Sequence, residues 1–269
     1  MRLSIVVSTQ PASFSALAYQ GRLEETIAKV GNLGYDGVEL AVRDPGQLLL
    51  EPLNRILLTH RLTVPAIGTG QAFGEEGLSW THEDNGIRRR AVERMLAQVR
   101  LADRLGAVVI VGLIRGNSAV RTGLERAQAW FAGALAECAC SNPNVKLAVE
   151  PINRYECDFL NTVESVLLFL DRIGLDNVGL LADTFHMNIE EPSIVAGLVQ
   201  AKDRLFHVHV ADSNRYYPGA GHLDFKEIVG TLDSIGYNGF LSAEILPKPD
   251  PDTAAARTIE NLRRWVLPA

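Results

Sequence analysis

The amino-acid sequence predicts an α/β fold, a (β/α)8 barrel forming one domain over residues 1–269. Short apolar runs rich in β-branched residues alternate with longer amphipathic runs along the whole chain. Eight such units give an average repeat of about 34 residues, close to the size of one strand–helix unit in this barrel. The turn Gly34-Tyr35-Asp36-Gly37 recurs as Gly236-Tyr237-Asn238-Gly239 before the last run. A doubly wound open sheet is the alternative that the same alternation allows.

The predicted strands are the short apolar runs. They occupy residues 3–8, 37–41, 63–68, 107–111, 146–150, 178–183, 205–210 and 239–244. The predicted helices lie near 23–33, 46–61, 87–105, 123–141, 162–173, 193–201, 225–235 and 253–267. The run 87–105 carries an apolar stripe at helical spacing. Asn161 and Glu164 are spaced as the N-cap and third residue of the helix 162–173.

Composition and charge narrow the class of function. The chain is 47% apolar, and its 26 Lys and Arg against 32 Asp and Glu give a net charge of −6. An acidic protein lacks the basic surface that nucleic acids and membrane surfaces require. No apolar run is long enough to span a bilayer, and the N-terminus lacks the pattern of a signal peptide. We therefore expect a cytoplasmic protein, with its three cysteines as small buried hydrophobic residues.

Residue types that bind metal ions lie at the ends of four consecutive predicted strands. Glu150, Asp183 and Glu244 end the fifth, sixth and eighth strands, and His209 lies near the end of the seventh. The carboxyl ends of barrel strands meet at the active-site face, where crowded carboxylates repel one another unless a cation lies between them. Taken singly, each acid could instead cap the next helix. His207 lies two residues deeper and is expected to support His209 or to pack in the core.

The oxygen-rich character of this set favours Mn²⁺, Mg²⁺ or Co²⁺ over a structural zinc ion. No glycine-rich nucleotide fingerprint or phosphate-binding loop is present, so we expect no nucleotide cofactor.

Two arginines follow earlier predicted strands. Arg43 comes after the second strand and Arg115 after the fourth. A guanidinium group suits a substrate carboxylate, although an ion pair with a loop acid such as Asp44 is equally compatible with the sequence. His82 offers a further polar contact to the substrate.

Long motifs in these segments resemble a known family. The strings EPINRYECDFLNT, LADTFHMNIEE and HVHVADSNRYYPGAGHLDF, and the final SAE, strongly resemble the ketose 3-epimerases, such as D-tagatose and D-psicose 3-epimerase. These enzymes belong to the xylose-isomerase-like TIM barrels, and the resemblance covers essentially the whole chain. In the N-terminal half, LSIVVSTQPASFSALAYQG, VELAVRDP, AIGTGQAF and GLIRG are similar to the 5-keto-L-gluconate epimerase subfamily.

The resemblance implies a cofactor and a set of site residues. The metal ligands of the family match Glu150, Asp183, His209 and Glu244. Its two acid/base residues match Glu150 and Glu244, and its substrate-binding residues match Glu156, His186 and Arg215. It further implies Mn²⁺ as the expected ion and a homo-oligomer, a dimer or a tetramer, that acts on a small keto-sugar.

These observations predict an isomerase of carbohydrate metabolism that inverts the carbon next to a ketone. One carboxylate would remove the proton and the other would return a proton to the opposite face, while a divalent ion stabilises the enediolate. Arg43 and Arg115 suit a substrate carboxylate, and the resemblance to the 5-keto-L-gluconate epimerases implies a keto-sugar acid of the 5-keto-L-gluconate or D-tagaturonate type.

Other functions stay open at this point. A neutral-ketose 3-epimerase or a sugar isomerase is favoured if Arg43 and Arg115 lie away from the cavity. An apurinic-site endonuclease on the same barrel would need more histidines and a basic face. A non-catalytic sugar sensor would have no use for two opposed carboxylates.

Overall fold

The computed structural model describes residues 1–117 and 119–266 and has the predicted barrel architecture. In chain order the strands are β1 (Arg2–Ser8), β2 (Tyr19–Gln20), β3 (Gly37–Ala41), β4 (Ala66–Gly68), β5 (Val108–Val111), β6 (Leu147–Val149), β7 (Val178–Asp183), β8 (Leu205–Val210) and β9 (Phe240–Ala243). Every pairing is parallel, and the ring closes because β1 pairs with both β3 and β9. The two-residue strand β2 is an addition that pairs with β1 alone.

Helices surround the ring on the outside. They are α1 (Leu23–Asn32), α2 (Leu50–His60), α3 (Gln71–Glu76), α4 (Asn85–Leu105), α5 (Ala119–Thr122), α6 (Leu124–Ser141), α7 (Val163–Ile173), α8 (Thr184–Glu190), α9 (Ile194–Ala201), α10 (Phe225–Ser234) and α11 (Pro251–Trp265). Short 3-10 helices occupy Pro45–Gln47, Leu113–Arg115 and Lys202–Arg204. Among the described residues, no helix combines the length and the apolar character that a membrane span needs.

The core has an outer layer between sheet and helices and an inner layer inside the ring. The predicted stripe of α4 is buried in the outer layer through Met95 and Val99. Ala66, Ile110, Ala148 and Leu181 pack in the inner layer. Alternation along a strand sends every second side chain inward, so the inward residues at the carboxyl ends of the strands face one shared cavity.

The start of α7 differs from the prediction by one residue. Thr162 is the N-cap, and it forms a reciprocal capping box with Ser165 at 3.2 Å. The Asn161 carboxamide instead donates to the carbonyl oxygens of Ile152, at 2.6 Å, and Cys157, at 2.8 Å. Asn161 therefore stabilises the loop before the helix rather than the helix itself.

Other departures concern short helices and helix ends. The predicted helix 46–61 is a 3-10 turn followed by α2, and the predicted helix 123–141 is preceded by the extra turn α5. No helix is predicted for segments 71–76 and 184–190, which are the helices α3 and α8 and are too short to show helical periodicity. The predicted end of the last helix at residue 267 lies outside the described residues. Cys140 is exposed rather than buried.

Candidate active site and metal centre

The structure brings the four strand-end residues together. Glu150 follows β6, Asp183 ends β7, His209 lies in β8 and Glu244 follows β9. The Nδ1 atom of His209 lies 3.6 Å from Asp183 Oδ2 and 3.8 Å from Glu150 Oε1. Asp183, His209 and Glu244 each offer a ligand atom within 4.8 Å of the others. Glu150, His209 and Glu244 also line the cavity at the carboxyl end of the barrel.

Two atoms in this cluster are buried without a hydrogen-bond partner among the described residues, Asp183 Oδ2 and His209 Nδ1. An unpaired buried polar atom is unfavourable by about 1–3 kcal/mol, more when it is charged. The other oxygen of Asp183, Oδ1, accepts from the backbone amides of Phe185 at 2.7 Å and His186 at 3.3 Å. Asp183 thus caps α8 with one oxygen and leaves the other free beside His209, and this donor set fits a divalent cation.

Burial and mutual repulsion set the ionisation of the two glutamates. Burial raises the pKa of Glu150 well above its ordinary value, and the carboxylates of Glu244 and Asp183 raise it further against the opposing charge of His209. Burial also raises the pKa of Glu244, with His209 and Arg215 opposing the shift. Both carboxyl groups are therefore weaker acids, and their carboxylates stronger bases, than a solvent-exposed glutamate.

His186 is held as a neutral hydrogen-bond donor. Burial lowers the pKa of His186 to about 4. Its Nδ1 atom lies 2.7 Å from the carboxamide nitrogen of Asn153, which can only donate, so the ring proton resides on Nε2. Nε2 lies 3.7 Å from Glu150 Oε1, at the cavity. Asn153 was not singled out in the sequence, because an asparagine in a polar loop carries no distinctive pattern.

Arg215 connects two carboxylates at the cavity. It donates to Glu156 Oε1 at 3.0 Å and to Glu244 Oε2 at 2.8 Å. Its guanidinium group lies 5.1 Å from the ring centroid of Phe14 and 4.7 Å from that of Phe185. These contacts restrict both Arg215 and Glu244 to one orientation.

The backbone of Arg215 has a positive φ of 60°, which is unusual for a residue with a side chain. Asp212 stabilises this loop by accepting hydrogen bonds from the backbone amides of Ser213, Gly219 and Leu223. The loop is therefore built to present Arg215 to the cavity.

Glu39, in the middle of β3, is a further residue of the site that the sequence analysis missed. It is 1% exposed and lies across the barrel from β8. Its Oε2 atom lies 2.8 Å from His207 Nε2, and its Oε1 atom lies 3.0 Å from His209 Nε2. Burial alone would raise the pKa of Glu39, but the charge of His209 and the hydrogen bonds of His207 and His209 lower it below its ordinary value. A lone glutamate inside the apolar run Gly-Val-Glu-Leu-Ala was the available signal.

The cavity wall opposite Glu150, Asp183, His209 and Glu244 comes from the first half of the chain, and most of its side chains are uncharged. Residues 9–18, the roof loop, line it with Ser13, Phe14 and Leu17. Gln71 lies deeper, where Nε2 donates to Ser8 Oγ at 2.6 Å, while Oε1 is buried without a partner among the described residues. Glu75 also lines this wall, and it accepts from the backbone amide and the hydroxyl of Ser13.

Gly112 allows Glu150 its position. A Cβ atom added at Gly112 would lie 2.8 Å from Glu150 Oε2, closer than side chains tolerate. The absence of a side chain at position 112 thus leaves room for the Glu150 carboxylate.

Three other predicted substrate contacts are not among the residues that line this cavity. The Arg43 guanidinium donates to the carbonyl oxygen of Pro11 in the roof loop. Arg115 is fully buried, with Nε 3.2 Å from Cys157 Sγ, because the 3-10 turn directs its side chain into the protein. The Nδ1 atom of His82 accepts from the backbone amide of Asp84 at 3.0 Å. The structure does not bring these side chains to the four strand-end residues.

Comparison with known proteins places this geometry in a family. A family model described as xylose isomerase-like TIM barrel matches residues 27–265. The chain belongs to the xylose isomerase-like TIM barrel family. Within this family, an L-ribulose 3-epimerase of Mesorhizobium japonicum is 32% identical to the chain over 235 residues, which cover 86% of this chain and 78% of that protein.

Solved structures of two sugar epimerases are similar to this chain over nearly its whole length. A structure of an L-ribulose 3-epimerase superposes with a TM-score of 0.85 at 28% identity, and covers 98% of this chain and 94% of that chain. A D-allulose 3-epimerase from Methylomonas sp., solved in complex with D-allulose, gives a TM-score of 0.80 at 25% identity over 98% of both chains. The predicted resemblance to the ketose 3-epimerases is confirmed, while the narrower similarity to 5-keto-L-gluconate epimerases stays a prediction.

Proposed function

We propose that the protein is a divalent-metal-dependent sugar epimerase, an isomerase that inverts the carbon next to the ketone of a keto-sugar. The observation that carries the proposal is the presence of two carboxyl groups in one cavity, the buried Glu150 and the partly buried Glu244, beside Asp183 and His209. The two glutamates follow β6 and β9, so two strands separate them around the ring. Inversion needs a base on one face of the carbon and an acid on the other, and this pair supplies both.

The surrounding side chains would prepare the two glutamates for proton transfer. The hydrogen bond from Arg215 holds Glu244 in place. His186 presents its Nε2 proton to the cavity and can donate to a substrate oxygen on which negative charge develops. Phe14 and Phe185 cover the guanidinium of Arg215 and reduce the access of water to it. In one direction Glu150 removes the proton and Glu244 returns one, and in the reverse direction the roles exchange.

The metal ligands in this proposal are Glu150, Asp183, His209 and Glu244. When bound, a divalent cation would polarise the ketone and lower the barrier to removal of the neighbouring proton by several kcal/mol. Mn²⁺ is the proposed ion, with Mg²⁺ and Co²⁺ as alternatives, because three of the four ligands are carboxylates.

The proposed substrate is an uncharged ketose with inversion at its third carbon. Among the described residues, Arg215 is the one arginine that lines the cavity, no lysine lines it, and Arg215 already pairs with Glu156 and Glu244. The wall opposite the metal cluster offers the free oxygen of Gln71 and the carboxylate of Glu75. Both are acceptors, which suit hydroxyl groups and repel a carboxylate.

A keto-sugar acid of the 5-keto-L-gluconate or D-tagaturonate type is the second candidate substrate. The similarity of the N-terminal motifs to that subfamily favours it. It requires a cation for the carboxylate, and the positions of Arg43 and Arg115 do not provide one at the cavity wall.

The test is incubation of the Mn²⁺-loaded enzyme with neutral ketohexoses and keto-hexonates in deuterated water. The products are identified by NMR after the metal is removed. We expect inversion with deuterium incorporation at the carbon next to the ketone, and faster turnover of a neutral ketose. Preference for a keto-hexonate would support the second substrate class. Ligand binding without proton exchange on any substrate would contradict the epimerase function.

A further inference from the structure

We propose that Glu39 is a positioning residue for the metal centre, which fixes the ring orientation and the proton position of His209 so that Nδ1 is the atom presented to the metal. The proposal extends the proposed function and rests on it only through the metal ion.

The geometry around Glu39 restricts where protons can lie. An ionised carboxylate accepts hydrogen bonds and cannot donate them. The two carboxylate oxygens of Glu39 lie within 3.2 Å of His209 Nε2, and Glu39 Oε2 lies 2.8 Å from His207 Nε2. Both Nε2 atoms must therefore carry the hydrogen. When His209 is neutral, its lone pair is then on Nδ1.

The other side of the His209 ring faces the proposed metal ligands Asp183 and Glu150. Nδ1 is the atom that lies 3.6 Å from Asp183 Oδ2 and 3.8 Å from Glu150 Oε1. It is buried and has no hydrogen-bond partner among the described residues. A carboxylate that binds the far nitrogen of a metal-binding histidine orients the ring and makes it a better ligand. Glu39 occupies that place, although it lies on the opposite side of the barrel from the other ligands.

His207 provides a matched control within the same buried group. It is 2% exposed, like His209, and it shares the Glu39 carboxylate. It is not in the group formed by Asp183, His209 and Glu244. Replacing His207 removes one contact of Glu39 but leaves the contact between Glu39 and His209. A purely structural role of the buried triad predicts equal damage from replacing either residue.

The experiment compares Glu39→Gln with His207→Gln. Affinity for Mn²⁺ is measured from the free-ion signal in electron paramagnetic resonance, after thermal unfolding has shown that each variant is folded. A glutamine can accept from one Nε2–H but places its amide hydrogens against the other, so we expect Mn²⁺ binding about 10–100-fold weaker in Glu39→Gln. We expect His207→Gln to bind Mn²⁺ within about threefold of wild type, because Glu39 still accepts from His209 Nε2. Equal loss in both variants would overturn the positioning role.

Two further readouts keep the proposal testable if Glu39→Gln does not fold. Long-range ¹H–¹⁵N spectra of the wild-type protein loaded with Mg²⁺ report which nitrogen of His209 carries hydrogen, and we expect Nε2. Hydrogen on Nδ1 would refute the proposal. Binding of two Mn²⁺ ions per chain in wild type and one in Glu39→Gln would also refute it, because Glu39, His207 and His209 would then hold an ion of their own. Intact metal binding without epimerisation would contradict only the proposed function.

Discussion

The two halves of the barrel mouth differ in chemistry. The half formed after β6, β7, β8 and β9 carries carboxylates, His209 and Arg215, while the half formed after β1, β4 and β5 carries Ser13, Gln71 and small residues such as Gly112. The first half is fixed by charged hydrogen bonds that hold each group at a defined distance. The second half offers hydrogen-bond acceptors, the carboxamide oxygen of Gln71 and the carboxylate of Glu75, and among the described residues no cationic side chain of this half lines the cavity. Under the proposed function, the first half would carry the reaction chemistry and the second half would select the substrate.

Removal of a metal ligand should give the largest effect. Asp183→Asn exchanges the free Oδ2 atom for a group that is a poor ligand, so loss of the metal should lower kcat/KM on the order of 10³-fold. The measurement is the rate of epimerisation and the Mn²⁺ content after dialysis. Asp171→Asn, an exposed residue of α7, is the matched control. Full activity of the metal-stripped wild-type enzyme would show that the residues after β6, β7, β8 and β9 support epimerisation without a metal ion.

Replacement of either of the two proposed catalytic glutamates should be nearly as damaging. Glu150→Gln and Glu244→Gln each remove one of the two proposed proton-transfer groups, and inversion should slow by at least about 10²-fold. Exchange of the substrate proton with deuterated solvent should persist from one face in a variant that retains its metal. NMR measures inversion and exchange in the same sample.

The exposed residue Glu164 provides the control Glu164→Gln. The two-base mechanism fails if both catalytic variants, with metal bound, invert the substrate at near the wild-type rate.

A cation placed in the half of the barrel mouth that contains Gln71 should change which substrate is preferred and should leave epimerisation intact. Gln71→Lys puts an ammonium group where Oε1 of Gln71 is buried without a partner among the described residues. A charge-assisted contact contributes about 1.5–3 kcal/mol, so the ratio of kcat/KM for a keto-hexonate to that for a neutral ketose should rise by at least about tenfold. Gln200→Lys adds the same charge on the exposed surface of α9. An unchanged ratio in Gln71→Lys would show that this wall does not select the substrate.

The smallest effect is expected from the two arginines that do not line the cavity. Arg43→Met and Arg115→Met should each leave the ratio of keto-hexonate to ketose turnover within about twofold of wild type, since neither guanidinium lies at the cavity wall. Steady-state kinetics on one substrate of each class checks this. A loss of about 10–150-fold confined to the keto-hexonate would restore the keto-sugar acid as the substrate.

Much of the fold follows from patterns that repeat along the chain. Eight alternating units and the acids after consecutive strands predict the ring and the cluster, since parallel strands place their carboxyl ends at one face. Glu39 escaped because its role depends on contact with His207 and His209, about 170 positions away along the chain. No local pattern reports such a contact. It depends on the closure of the ring.

The positions of Arg43 and Arg115 show a different limit. Both follow strands at the active-site end, as predicted, but strand order does not determine where a long side chain points. A 3-10 turn directs Arg115 toward Cys157, and the carbonyl group of Pro11 binds Arg43. Loop conformation therefore decides whether a residue near the site also reaches it.

The contacts that hold the roof loop in place determine which segments must be exchanged together in a chimera of two such barrels. The loop is held from outside itself, by Arg43 at Pro11 and by Glu75 at Ser13, and it places Phe14 against Arg215. A chimera that received the loop alone from a relative would lack these contacts and would lose the contact of Phe14 with Arg215, while Phe185 would remain beside the guanidinium group. The roof loop 9–18, Arg43 and Glu75 should therefore be transferred together when the loop is grafted onto a relative.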